Sequence, residues 1–137
     1  MIVKMTKKNK SRLLKIVRHA EKGILGHKVF DFSTVNDHTP NKCGTNGCLI
    51  GEMPIIFPKE WYFGEEGYPR LFNDDDFGIS ERMRYFLGID YSAINHLFFP
   101  NHQLTDLFNG EILGRNATRY EVAKNIREFL KLVEVEG

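Results

Sequence analysis

Thr118-Arg119-Tyr120-Glu121-Val122-Ala123-Lys124-Asn125-Ile126-Arg127-Glu128-Phe129-Leu130 is the stretch whose reading sets the fold class. Thr118 and Glu121 stand at capping-box spacing, where the hydroxyl and the carboxylate each satisfy a backbone N–H left over at a helix start. Val122, Ile126, Phe129, Leu130 and Val133 then recur as one apolar stripe, the spacing of a helix packed on a core. The same signals repeat outward along the chain. Asp90 or Ser92 caps a helix that turns Ile94, Leu97 and Phe98 inward as far as Pro100. Ser80-Glu81-Arg82-Met83 opens another helix, with Met83, Phe86 and Leu87 on one face and Gly88 as its stop. Leu104, Leu107 and Phe108 suggest a short turn of helix, broken by Gly110 and Gly114.

Toward the N-terminus, Leu13, Ile16, Val17, Ala20 and Ile24 form a stripe that predicts a helix over 10–22. Asn9 is its expected cap, and Gly23 and Gly26 end it. His19 lies beside the stripe and reads as a half-exposed helix histidine. Val29–Val35 alternates briefly, and with no convincing strand nearby it reads as an extended tie pinned by Phe30 and Phe32. Residues 59–78 hold Trp61, Tyr62, Phe63, several glycines and the acidic run Asp74–Asp76, a long irregular segment of the kind that covers a site. The expected fold is mostly α: a compact single domain over 1–137, with about five helices, a long aromatic-rich loop and at most a minor strand element. Residues 1–9 form a basic N-terminal arm.

A chain of 137 residues buries an ordinary core without staples. No apolar run approaches the roughly 18 residues of a membrane span, so no membrane partner is expected. No apolar stretch of signal-peptide type follows the basic start, and two cysteines suit free thiols in a reducing compartment. Cytoplasm is the expected location. Residues 1–28 carry nine Lys or Arg against Glu21 alone, while the remainder carries ten basic and seventeen acidic residues. The basic segment reads as a solvated face attracted to the acidic remainder. It lacks interleaved aromatics, so nucleic acid is not the expected partner.

Cys43-Gly44-Thr45-Asn46-Gly47-Cys48-Leu49-Ile50-Gly51 is the richest stretch for chemistry. Gly44 and Gly47 permit a sharp turn, and Thr45 can cap a short helix that Pro54 interrupts and Pro58 closes. The helix start would offer free N–H groups and a positive dipole end to an anion or a thiolate.

With Phe30-Asp31-Phe32-Ser33 before it and a closing Thr-x-x-Glu-Val-Ala helix after it, this stretch resembles small phage and bacterial proteins that carry a Cys-Gly-Thr-x-x-Cys-x-x-Gly signature. The resemblance runs from about Phe30 to Leu130 and rests on the six-residue core. It implies a phage or bacterial origin, and that Asp31 and the Cys43–Gly51 stretch belong together. Members often carry Trp or His after the final glycine. Glu52 stands there in this chain, which weakens any role carried by that position.

Four readings of the motif stay open. A small anionic, nucleotide-like ligand would use the main chain at Cys43, Gly44, Thr45, Asn46, Gly47 and Cys48 for a phosphate. Asp31 or Ser33 would take a ribose hydroxyl, Trp61 or Phe63 would stack on a base, and His96 would complete the site. In a phage protein such binding would sequester a host immune signal, although the glycine spacing matches neither the P-loop nor the dinucleotide fingerprint. Alternatively, Cys43 or Cys48 is a nucleophile with His38, His96 or His102 as base. A metal held by Cys43, Cys48 and His38 would need a fourth, distant ligand. Lastly, the glycines and cysteines could serve only close helix packing, leaving a structural or interaction module, an inhibitor of a host protein. A copy of the same chain is a further candidate partner. No catalytic constellation is legible, so no catalytic residue, resident cofactor or metal is assigned.

Overall fold

The computed structural model describes residues 2–22, 29–30, 46–47, 49–64, 69–72, 78–99 and 117–136, with backbone alone at 29–30 and 46–47. In chain order these are β1 (Val3–Thr6), α1 (Lys7–Lys22), β2 (Val29–Phe30) and β3 (Asn46–Gly47). A 3₁₀ turn (Ile50–Glu52), α2 (Met53–Ile56), β4 (Trp61–Phe63) and β5 (Pro69–Leu71) follow. The chain then runs through α3 (Ile79–Leu87), α4 (Tyr91–Phe98), α5 (Arg119–Leu130) and β6 (Val133–Glu136). The fold is mostly α, with five α-helices among the described residues and strands confined to two-stranded pairs.

Helix α1 is the hub. Leu13, Ile16, Val17 and Ala20 are buried along its length, and it packs on α5, α3 and α2. Four side chains at helical spacing deliver one continuous stripe to the core. Helix α5 answers with Val122, Ala123, Ile126 and Phe129, and α3 and α4 bring Met83, Phe86, Leu87, Ile94 and Leu97. Its capping box is formed as expected: Thr118 Oγ1 accepts from the Glu121 N–H at 3.2 Å, and Glu121 Oε1 accepts from the Thr118 N–H at 3.0 Å. Asp90 caps α4 by accepting from the Ala93 N–H at 2.9 Å. Gly88 ends α3 with φ of 66°, a left-handed conformation that suits glycine.

Local chemistry moved several boundaries. The arm expected over 1–9 is a strand and the first turn of α1, because Thr6 caps that helix in place of Asn9. Thr6 Oγ1 accepts from the Asn9 N–H at 3.1 Å, three residues earlier than expected. The stripe thought to carry α5 to Val133 ends at Leu130. Val133-Glu134-Val135-Glu136 alternates with period two and pairs in parallel with β1, Val3 opposite Val133 and Thr6 opposite Glu136. The segment 59–78 is not wholly irregular, since β4 and β5 pair antiparallel inside it, with Trp61 opposite Leu71 and Tyr62 opposite Arg70. The turn around Leu104, Leu107 and Phe108 lies outside the described residues. No described helix is long and apolar enough to cross a membrane.

Candidate functional site

The tie at Val29 finds a partner in the glycine motif. Val29 lies opposite Asn46 and Phe30 opposite Gly47, in parallel pairing. This brings the backbone just before Asp31 alongside the middle of the Cys43–Gly51 stretch. It also overturns one local expectation. Asn46 and Gly47 are extended, so no helix begins at Thr45; helical geometry starts at the 3₁₀ turn, whose N-cap is Leu49 with no side-chain cap. Pro54 accordingly does not interrupt a helix but sits in the first turn of α2, where its missing N–H costs nothing. Asn46 and Gly47 lie in the strand pairing, and the first described helical turn begins beyond them at Ile50.

Beyond that turn the chain becomes deeply enclosed. Leu49, Ile50, Gly51, Glu52 and Met53 are all buried. Glu52 is 0% exposed, the one charged residue in the apolar run from Leu49 to Phe57. It sits at φ −103° and ψ 1°, where the 3₁₀ turn hands over to α2. His19 of α1 meets it, Nε2 donating to Oε1 at 2.6 Å, and the His19 side chain is 11% exposed. Burying such a pair costs several kcal/mol of desolvation per ion, which the mutual attraction only roughly offsets. Glu52 fixes the hydrogen on Nε2. Nδ1, which has no partner among the described residues, is then an acceptor in the neutral ring and a donor in the protonated one.

Helix α5 holds this end of α1 in place. Arg119 Nη1 donates to the Ala20 carbonyl at 3.0 Å, and Arg127 forks onto Glu21 through Nε at 3.1 Å and Nη2 at 2.6 Å. The residues that follow His19 are thereby clamped. The hydrogen bond from Arg127 holds the Glu21 carboxyl below the usual carboxylate range, and the same bond raises the Arg127 guanidinium.

Among the expected site residues, Asp31, Ser33, Cys43, Gly44, Thr45 and Cys48 lie outside the described residues, as do His38 and His102. Asn46 and Gly47 are placed by the β2–β3 pairing. Trp61 is not a stacking platform: it is 1% exposed, edge-on to Phe86 at 5.5 Å between ring centres, and belongs to the core. Phe63, its alternate, is exposed. His96 is 1% exposed and bonded to Asn125 on α5 at 3.1 Å, so its ring joins two helices and does not face solvent. No group of three metal-binding side chains occurs among the described residues.

Sequence reasoning missed His19 and discounted Glu52. One signal was readable: a lone carboxylate inside an apolar run must find a cation or a donor. Its partner, 33 positions away, carried no local mark. Comparison with protein-family models, with curated proteins and with solved structures finds no match.

Proposed function

We propose that the protein binds a small anionic, nucleotide-like ligand at the Cys43–Gly51 turn, with His19 as a wall of the site. The supporting observation is the buried His19–Glu52 pair, set where the glycine turn enters the core. A fully enclosed carboxylate that orients a part-exposed histidine is a costly arrangement, and such arrangements concentrate at sites. In its protonated form His19 donates from Nδ1 to a phosphate, while Glu52 balances its charge. Main-chain N–H groups of the turn not engaged in strand pairing, with Asp31 or Ser33, take the remaining polar groups. In a phage protein such binding would sequester a host nucleotide signal, and an inhibitory contact with a host protein is the alternative role.

Thermal shift with a panel of mono- and cyclic nucleotides tests this. A ligand at about a hundred times its Kd stabilises the folded chain by about 2.7 kcal/mol, a readily measured rise in Tm. His19→Gln and Thr45→Val are expected to abolish the shift. A shift that survives both changes, or no shift with any nucleotide, removes the reading.

The same Nδ1 favours a second reading, a cysteine-dependent hydrolase or transferase in which His19 takes the proton from Cys43 or Cys48 and Glu52 orients the ring. Here one cysteine is expected to react with iodoacetamide much faster than the other near neutral pH. His19→Gln would slow it about tenfold or more. Equal, slow alkylation of both thiols would discard this alternative.

A further inference from the structure

The face of helix α1 that carries His19 bears further cations about one to three turns toward its N-terminus. Lys8, Arg12 and Lys15 form one bank of a groove of about 460 Å³, with Lys59 and Glu60 opposite and Phe57 as its floor. The arrangement is built, since two of the cations are held on rings. The Arg12 guanidinium lies 3.9 Å above the centre of the Phe86 ring and donates to the Phe86 carbonyl at 2.8 Å. Lys15 Nζ sits 5.2 Å from the centre of the Phe57 ring. Burial lowers the Arg12 pKa, and the nearby Glu60 carboxylate works the other way. Among the described residues Lys8, Lys15 and Lys59 form no ion pair.

Glu60 links the groove to two aromatics outside its lining. The Phe72 N–H donates to the Glu60 carbonyl at 3.1 Å, which fixes the end of the β4–β5 ribbon at the groove. There Tyr62 and Phe72 lie side by side, ring centres 5.0 Å apart and tilted by 34°, with 38% and 59% of their surfaces exposed. The basic segment has no aromatics of its own, but the fold supplies them from fifty to sixty residues further along the chain.

We propose that this groove and the aromatic pair carried next to Glu60 by the β4–β5 ribbon bind single-stranded nucleic acid, phosphates against the cations and a base on Tyr62 and Phe72. Cations that track a backbone, followed by an exposed ring that stacks a base, are the two parts such binding needs. The carboxylate fits as well. Glu60 repels a bare phosphate but accepts from a base amino group. An acidic polypeptide would use the cations and leave the stacked rings and Glu60 without a purpose.

Fluorescence anisotropy of a labelled deoxycytidine oligonucleotide of about ten nucleotides tests this, titrated between about 50 and 200 mM salt. Affinity is expected to fall with salt, with a log–log slope near −2 for about three phosphates. Lys8→Glu with Lys59→Glu is expected to weaken binding tenfold or more and flatten the slope. Phe72→Ala is expected to weaken it about tenfold and leave the slope unchanged. All three positions are exposed, so an unchanged Tm confirms that the variants fold. The proposal is overturned by failure to bind at low salt, or by binding that either variant leaves intact. It is overturned equally if polyglutamate competes as well as the oligonucleotide, which would mark an acidic protein as the partner.

Discussion

At the scale of single residues, the His19–Glu52 pair separates stability from function. His19→Leu removes the ring nitrogen that faces Glu52, which is 0% exposed, and is expected to cost about 1–3 kcal/mol in urea denaturation. Combining it with Glu52→Met removes both members of the pair and is expected to recover part of that loss, because the pair contributes little net stability. If the double variant were no more stable than the single one, the pair would be a structural necessity. Gly88 offers a similar test of geometry. An added Cβ there would adopt φ of 66° and lie 2.5 Å from Asn9 Nδ2. Gly88→Ala is expected to cost more than about 1 kcal/mol, and less in an Asn9→Ala background where the clash is gone. Residues whose chemistry is local were legible from the sequence: Thr118, Glu121, Asp90 and Gly88 each act within three or four positions of themselves. His19 was not, since its meaning rests on a side chain delivered by another element.

Elements show where local rules compete. Asn9 and Thr6 are both good caps by type, and Thr6 prevails because Val3–Thr6 is already extended against β6. At the other end, Val133 fits the helical stripe of α5 and equally the alternation of a strand; pairing with β1 decides it. A strand of two residues such as β3 leaves no periodicity to read, so the β2–β3 link could not be foreseen. Two predictions belong to α5. Thr118→Ala removes one arm of the capping box and is expected to lower stability by about 1 kcal/mol, read from the urea midpoint. Arg127→Gln breaks an exposed fork and is expected to cost only about 0.5 kcal/mol near pH 7. Because Arg127 holds the Glu21 carboxyl below its usual range, that contribution is complete above the ordinary value of about 4.3. It fades as the pH falls through the lowered one. The gap in Tm between the two proteins is therefore expected to narrow steadily in acid.

For the molecule as a whole, the core stripes of α1, α3, α4 and α5 were readable, and so was a fold built mainly of helices. Which faces meet was not, and the candidate site is a product of meeting faces. Trp61 illustrates the difference: its composition suggested a stacking surface, while its position opposite Leu71 and edge-on to Phe86 makes it core. The parallel pairing of β1 with β6 carries a consequence in time. Val3 waits for Val133, and the buried stripe of α1 waits for α5, through more than a hundred residues of synthesis. At about 5–20 residues per second, the side of the hub helix that α5 covers stays open for roughly five to twenty-five seconds, while α2 and α3 reach the helix sooner. A nascent chain that completes the cover of its first helix last exposes apolar surface of the kind that chaperones shelter, and β1 finds its partner only when Val133–Glu136 arrives.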